Sequence, residues 1–291
     1  MHEGADTVKQ KIIRRILLSF AALFVLQTAG FIKTQAENPG DSSSVWWWTK
    51  EKEELPPLKG GPEEEVRELN PVSNVVLQQE YPDFVFVKGP DTANRVALTF
   101  DDGPDPDFSP LVLDVLKEYN VPATFFLMGV RSGVYPDLVR RMAEEGHEIG
   151  NHTYWHPDLV EEGDVDILVD EVNRTEDVLE DILGFRTSLF RAPYGFLYRE
   201  LVEELVDLNY SVIAWDVDSL DWQMITEEEI AENVLSQVEP GSIILMHDGG
   251  GPGADRTETV DSLRIIIPEL LAQGYEFVTV SELLNIPAVR E

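Results

Sequence analysis

From Val96 onward, short apolar runs alternate with longer stretches in which apolar residues recur at helical spacing. Seven of the short runs are predicted to be strands: Val96–Phe100, Ala123–Met128, Glu148–Gly150, Ser188–Arg191, Ser211–Trp215, Ser242–Met246 and Glu276–Val280. Strands that alternate with helices form parallel sheets, so this order predicts an α/β fold. The alternation alone fits either a barrel or a doubly wound sheet, and seven units suit a small, incomplete barrel better than a full eightfold one.

Helix patterns fill the intervals between these strands. Two of them open with a proline in the first turn, at Ser109-Pro110 and Tyr135-Pro136. The others are Val165–Leu183, Leu201–Leu208, Thr226–Val238 and Thr257–Gln273. Thr226 followed by Glu229 is typical of a capping box, which marks a helix start.

The N-terminal third has a different character. Residues 1–36 place a basic flank before the apolar run Ile16–Ile32, which predicts a signal peptide or an N-terminal membrane anchor. Residues 37–91 are a Pro/Gly/Glu-rich linker and transitional segment, with Asp83–Val87 a candidate short strand. Within it, Trp46–Trp48 fits an interfacial anchor or a contact onto the following domain. Residues 92–291 carry the alternating strand and helix pattern and form the predicted folded domain.

Composition narrows the classes of function. The net charge is −33, which argues against nucleic acid as a partner because the phosphate backbone would be repelled. We interpret the acidity mainly as a solvated surface. The chain contains no cysteine, so any metal must be held by His, Asp or Glu. The export segment predicts a protein that is either anchored in the cell membrane, with residues 92–291 outside, or secreted.

Polar clusters follow the strand runs, where a β/α barrel builds its site. They are Asp101-Asp102, His152–His156, Arg191–Gly195, Asp216–Trp222 and His247-Asp248. Three of the five histidines in the chain fall in these clusters. Chance placement explains this distribution poorly, so we expect the clusters to form one site.

His152 and His156 are four residues apart, and a single helical turn would aim both rings at one point. With one carboxylate they would make a metal site with open positions, as catalytic sites have. Alone, the pair also fits two surface histidines, and Asp101-Asp102-Gly103-Pro104 also fits a surface turn. We interpret His147 as structural and Asp216 and Asp218 as turn acids.

The ordered set of motifs resembles the polysaccharide deacetylase family, also called the NodB-homology group or the fourth carbohydrate esterase family. The motifs are Thr-Phe-Asp-Asp-Gly-Pro, His-Thr-x-x-His, Arg-x-Pro-Tyr-Gly, Asp-Ser-x-Asp-Trp and Leu-x-His, over about residues 92–285. The resemblance implies a distorted (β/α)7 barrel. It also implies hydrolysis of N-acetyl groups, with Zn the usual metal and Co or another divalent ion as a substitute.

Similarity to the first two motifs implies that Asp101 is the general base and that the metal ligands are Asp102, His152 and His156. Arg191 resembles the arginine that holds the base carboxylate. The remaining residues have implied roles around the reacting acetyl group.

Among these, the backbone N–H of Tyr194 would help to stabilise the oxyanion. His247 would be the general acid, and Asp221 would orient its imidazole. Trp222 and Leu245 would line the acetyl pocket.

The expected substrate is an N-acetylglucosamine polymer of the cell surface, with peptidoglycan first, chitooligosaccharide second and acetylxylan third. We expect a monomer that contacts the membrane only through its N-terminal segment. Two other classes stay open. One is a non-catalytic carbohydrate-binding scaffold, and the other is a tethered interaction protein whose working part is Trp46–Trp48. The intact base, metal ligands and acid argue against the scaffold.

Overall fold

The computed structural model describes residues 71–290, and a parallel sheet of nine strands forms their centre. The strands are β1 Val85–Phe86, β2 Arg95–Asp101, β3 Thr124–Leu127, β4 Glu148–Asn151, β6 Leu189–Phe190, β7 Ser211–Ile213, β8 Val217–Asp218, β9 Ile243–His247 and β10 Glu276–Phe277. The strands β5 Arg186–Thr187 and β11 Val289–Arg290 make a separate antiparallel pair. Each of the seven predicted runs overlaps a strand.

The sheet runs in the order β1-β7-β6-β4-β3-β2-β9-β8, with β10 paired to the start of β2. Among the described residues β1 and β8 are its two ends, so the expected β/α barrel takes the form of an open half-barrel. The chain leaves β7 and joins β9 through Asp216, whose carboxylate accepts hydrogen bonds from the Ile243 N–H at 2.7 Å and the Ser242 hydroxyl at 2.8 Å. These bonds hold the connection between β7 and β8 against the start of β9.

Helices cover the outside of the sheet. Their bounds are α1 Asn74–Glu80, α2 Ser109–Tyr119, α3 Gly129–Val134, α4 Pro136–Glu144, α5 Leu159–Glu162, α6 Val165–Leu183, α7 Arg199–Asp207, α8 Glu227–Gln237, α9 Thr257–Ala272 and α10 Val280–Leu284. All six predicted helices are present. The capping box of Thr226 and Glu229 forms as predicted, with each side chain bonded to the other residue's backbone N–H.

The main core lies between β2, β3 and β9 and the helices packed on them. Its centre includes the stacked rings of Phe100 and Phe125, whose centroids are 5.1 Å apart. Because the parallel strands are covered by side chains on both faces, they are near-continuous apolar runs in the sequence. This packing fixes the carboxyl ends of the strands, which carry the polar clusters.

Residues 74–86, which the sequence interpretation placed in the segment 37–91, form helix α1 and strand β1. Strand β1 lies within the predicted strand Asp83–Val87 and pairs in parallel with β7. Leu77 of α1 is completely buried in a cluster that includes Leu197 and Leu201. The segment is therefore packed into a hydrophobic cluster that also contains residues of strands β6 and β7.

Among residues 71–290, no helix combines the length and apolar character needed to cross a bilayer. The predicted signal or anchor in residues 1–36 and the Trp46–Trp48 cluster lie outside the described residues.

We predict that Leu77→Ala lowers the free energy of unfolding by about 3 kcal/mol, because it leaves a cavity in the packed cluster. The matched control is Val75→Ala on the same helix, where the side chain is 53% exposed and the change should be within about 0.5 kcal/mol. Chemical denaturation of both variants measures the difference. Equal stabilities would contradict the packing of α1 into this core.

Candidate active site

The carboxyl ends of the parallel strands bring the five motifs to one place. Asp101 ends β2 and its Cα is the register partner of His247, which ends β9. Asn151 ends β4 and is paired with Phe190 of β6, so His152 and Arg191 leave neighbouring strands at the same level. Parallel pairing therefore assembles the predicted site from distant parts of the chain.

The three predicted metal ligands form a buried cluster. Oδ1 of Asp102 lies 3.5 Å from Nε2 of His152 and 3.3 Å from Nε2 of His156. One donor atom from each of these residues lies within 4.8 Å of the others. The predicted helical turn between the histidines is wrong, because they lie in a loop after β4 in which Thr153 and His156 have φ values of 65° and 60°. The turn residues, rather than helical spacing, aim both rings at one point.

The donor set fits a divalent metal ion. Oδ1 of Asp102 is buried and has no hydrogen-bond partner among the described residues, although it faces two imidazole nitrogens. Nδ1 of His152 lies 2.9 Å from the carbonyl oxygen of Arg191, an acceptor that holds the proton on Nδ1 and leaves Nε2 free to ligate. Two imidazoles and one carboxylate are ligands that zinc accepts with positions left open.

Asp101 is fixed by the Arg191 guanidinium, which donates to its Oδ1 at 2.8 Å. Nη1 of Arg191 also donates to the Thr99 hydroxyl at 2.8 Å, and Nε donates to the Ile213 carbonyl at 3.0 Å. Arg191 is fully buried, with its guanidinium carbon 4.1 Å from the centroid of the Phe126 ring. A charge-assisted bond in these surroundings holds the Asp101 carboxylate in one orientation.

His247 and Asp221 form a second buried pair. Nδ1 of His247 lies 2.7 Å from Oδ1 of Asp221, whose Oδ2 accepts from the His247 N–H at 2.8 Å and the Thr259 hydroxyl at 2.9 Å. Burial alone would lower the pKa of His247, but the Asp221 carboxylate outweighs it and raises the pKa to about 9. The imidazole is therefore protonated at neutral pH and can donate a proton through Nε2.

A cavity of about 210 Å³ joins these groups. Its lining contains the predicted residues Asp101, His152, His156, Tyr194, Trp222, Leu245 and His247. The sequence interpretation did not assign Phe196 and Trp215 to the site, although both line the cavity. Asp218 also lines it, while its Oδ1 accepts from the Leu220 N–H at 2.9 Å, as the predicted turn acid would.

Two buried residues that hold the metal-ligand loops were not predicted from the sequence. Oε2 of Glu171, on α6, accepts the backbone N–H groups of Tyr154 and Trp155 at 2.8 and 2.6 Å. Nη1 of Arg131 donates to the carbonyl oxygen of Asp102 at 2.8 Å. Glu171 lies on a helix rich in charge, where nothing in the local pattern separates a buried side chain from a solvated one, and Arg131 is the one charged residue of the short helix α3.

Other polar residues have structural roles. His147 is a structural residue, as predicted: its Nδ1 accepts the Ala123 N–H at 3.2 Å, and burial lowers its pKa to about 4. Asp248 is buried and bonded to the Ser109 hydroxyl. A Cβ on Gly103 would lie 2.5 Å from both Asp248 carboxylate oxygens, so this position of the first motif requires glycine.

Comparison of the amino-acid sequence with known families agrees with this geometry. A model described as polysaccharide deacetylase matches residues 88–213. The peptidoglycan-N-acetylglucosamine deacetylase of Bacillus cereus is 41% identical over 68% of this chain and 70% of the relative. The peptidoglycan-N-acetylmuramic acid deacetylase PdaC of Bacillus subtilis is 40% identical over 67% of this chain, and the match spans 40% of PdaC. The chain belongs to the polysaccharide deacetylase family.

The fold gives the same result. The crystal structure of the Bc1960 peptidoglycan N-acetylglucosamine deacetylase matches with a TM-score of 0.70 and 38% identity. The match covers 73% of this chain and 98% of that chain. The open parallel half-barrel is thus the fold of a deacetylase of this family.

We predict that Glu171→Gln weakens zinc binding by about tenfold, because it removes the charge that holds two N–H groups of the His152–His156 loop. Competition with a chromophoric chelator measures the dissociation constant. Glu180→Gln is the matched control, since Glu180 is an exposed glutamate on the same helix. Unchanged zinc affinity in Glu171→Gln would show that the loop holds its shape without this carboxylate.

We also predict that Asp221→Asn lowers the pKa of His247 from about 9 to below its ordinary value of 6.5, because burial then acts without the opposing carboxylate. An NMR titration of the imidazole protons reports this pKa directly. His147, with a pKa of about 4, is the internal control and should not change. A His247 pKa that stays near 9 would mean that another group supplies the stabilising charge.

Proposed function

We propose that the protein is a metal-dependent hydrolase that removes N-acetyl groups from N-acetylglucosamine residues of peptidoglycan. The observation that carries this proposal is the convergence of a carboxylate base, a protonated imidazole and a three-ligand metal cluster on one small cavity. Amide hydrolysis needs each of these parts: a base for water, an acid for the leaving amine, and stabilisation of the oxyanion.

Asp102, His152 and His156 hold the metal, with zinc the first choice. When bound, this ion supplies a Lewis acid that polarises the acetamide carbonyl and makes water easier to deprotonate. The Asp101 carboxylate, oriented by Arg191, takes the proton from the attacking water.

Completion of the reaction requires stabilisation of the oxyanion and protonation of the nitrogen. The oxygen of water bonds to the carbonyl carbon, and the backbone N–H of Tyr194 donates to the oxyanion of the tetrahedral intermediate. His247 then gives its proton to the nitrogen as the C–N bond breaks, so that acetate and a free amine leave. Asp221 keeps the imidazole protonated until this step.

The dimensions of the cavity support an acetyl group on a polymer. A volume of about 210 Å³ is smaller than the pockets that enclose whole drug-sized ligands, which hold roughly 300 Å³ or more. Trp222 and Leu245 would contact the acetyl methyl group, while the sugar chain lies across the opening. The similar peptidoglycan deacetylases support peptidoglycan as the first substrate to test, with chitooligosaccharide and acetylxylan as alternatives.

The setting of the enzyme is a further part of the proposal. A basic flank followed by an apolar run in residues 1–36 supports export, with the catalytic domain outside the membrane. We propose that the chain acts there as a monomer on a cell-surface polymer. A non-catalytic carbohydrate-binding scaffold would bind the same polymer without releasing acetate, so one assay separates the two functions.

We predict that the full-length, zinc-loaded chain releases acetate from peptidoglycan and that Asp101→Asn reduces the rate by at least about a hundredfold, because the general base is lost. Chelation should abolish release, and added zinc should restore it. Asp107→Asn, a change at an exposed acid in the same loop, is the matched control and should keep the wild-type rate.

Release of acetate from chitooligomers or acetylxylan but not from peptidoglycan would show that those polymers, rather than peptidoglycan, are the substrate. No release from any of the three, with zinc present in the protein, would favour the binding scaffold.

A further inference from the structure

A segment that precedes the region matched by the family model is packed directly against the Tyr194 loop. We define the N-terminal brace as residues 72–81 and the Tyr194 loop as residues 193–196; the family model matches only from residue 88. The N–H of Val72 donates to the carbonyl of Leu197 at 2.9 Å, which forms an antiparallel bridge immediately after the loop. The side-chain amide of Asn74 donates to the carbonyl of Gly195, inside the loop, at 3.1 Å.

The brace is anchored independently of these two contacts. Leu77, within the brace, has a fully buried side chain. The carboxylate of Glu80 accepts two hydrogen bonds from the Arg199 guanidinium, at 2.6 and 2.7 Å, and the Tyr81 hydroxyl donates to Glu203 at 2.9 Å. Asn74 is thus presented to the loop by a helix that is fixed to α7 at its other end.

The Tyr194 loop has a conformation that needs support. Tyr194 has a φ of 60°, in the left-handed region that a residue with a side chain adopts at a cost. Gly195 follows with a φ of 70°, and a Cβ there would lie 2.5 Å from the ring of Trp215. Two consecutive left-handed residues bring Tyr194 to the cavity, where the centroid of its ring lies 4.7 Å from that of the His156 ring.

We infer that Asn74 is a positioning residue for the Tyr194 loop. Its amide fixes the peptide plane that follows Gly195. The bridge at Val72 fixes the chain at Leu197, two residues further on. Together they oppose relaxation of the loop out of its left-handed conformation. This inference rests on the proposed function only for its kinetic consequence, since the loop geometry itself can be tested without substrate.

A positioning role predicts a specific kinetic pattern. The Tyr194 N–H is proposed to act on the oxyanion, which exists in the transition state and not in the bound substrate. Loss of the Asn74 contact should therefore lower kcat and leave KM within about twofold. Zinc affinity should not change, because the brace does not contact Asp102, His152 or His156 among the hydrogen bonds of the described residues.

The test uses the full-length chain with Asn74→Asp, which keeps the side-chain shape but replaces the donor by a carboxylate. We expect kcat for acetate release to fall about five- to tenfold, as expected for one lost hydrogen bond. In hydrogen–deuterium exchange, the amides of Gly195 and Phe196 should exchange faster. In the wild type, these two N–H groups donate to the backbone carbonyls of Ala192 and Pro193, respectively.

Two controls separate positioning from general destabilisation. Gln79→Ala changes an exposed residue of the same helix and should alter neither kcat nor exchange. Leu77→Ala weakens the anchoring of the whole helix, and it should increase exchange across the brace as well as in the loop. Asn74→Asp should increase exchange in residues 194–197 alone.

Unchanged exchange and unchanged kcat in Asn74→Asp would overturn the inference, as would a fall in zinc affinity that accounts for the lost activity. If the wild-type chain binds zinc but releases no acetate, the proposed function fails. The exchange of Gly195 and Phe196 then decides the inference without reference to activity.

Discussion

The buried guanidinium of Arg191 is the interaction on which the arrangement of the site depends. It joins the base Asp101 to the carbonyls of Ile213 and Ala214, at the carboxyl end of strand β7. The carbonyl of the same residue accepts from His152, so one amino acid orients both the base and a metal ligand. Removing one partner of a buried ion pair typically costs about 3–5 kcal/mol, because the other charge is left without compensation. Arg191 is therefore as much a part of the fold as of the site.

Each of the three aspartates with a role in the proposed reaction accepts a hydrogen bond from an arginine, although the net charge of the chain is −33. Arg191 pairs with the Asp101 side chain, Arg131 donates to the carbonyl of Asp102, and Arg256 donates to the carbonyl of Asp221. All three arginines are buried, whereas most of the acidic excess is on the surface. The overall charge thus says little about the potential inside the site, which is set by these neighbours.

The sequence predicts the parts of this protein that are local and misses those that depend on packing. Strand ends followed by polar clusters identify the site residues, because parallel strands bring their carboxyl ends together. Glu171 could not be recognised, since a buried glutamate on an amphipathic helix has the same sequence pattern as a solvated one. The helical turn assigned to His152 and His156 was wrong because the left-handed residues in that loop carry no glycine to signal them. The position of Asp216 between β7 and β8 also depends on packing, since its partners Ser242 and Ile243 lie 26 and 27 residues further along the chain.

The edge strand β1 has a consequence for the order in which the chain can fold. Val85 pairs with Val212, so most of the catalytic domain separates two strands that lie side by side. Contacts between such distant segments form late, because a long loop must close before they contribute stability. A chain that crosses the membrane from its N-terminus would present β1 and helix α1 well before β7 has emerged. These two elements would then wait outside the cell for their partner strand, exposed to quality-control proteases during that interval.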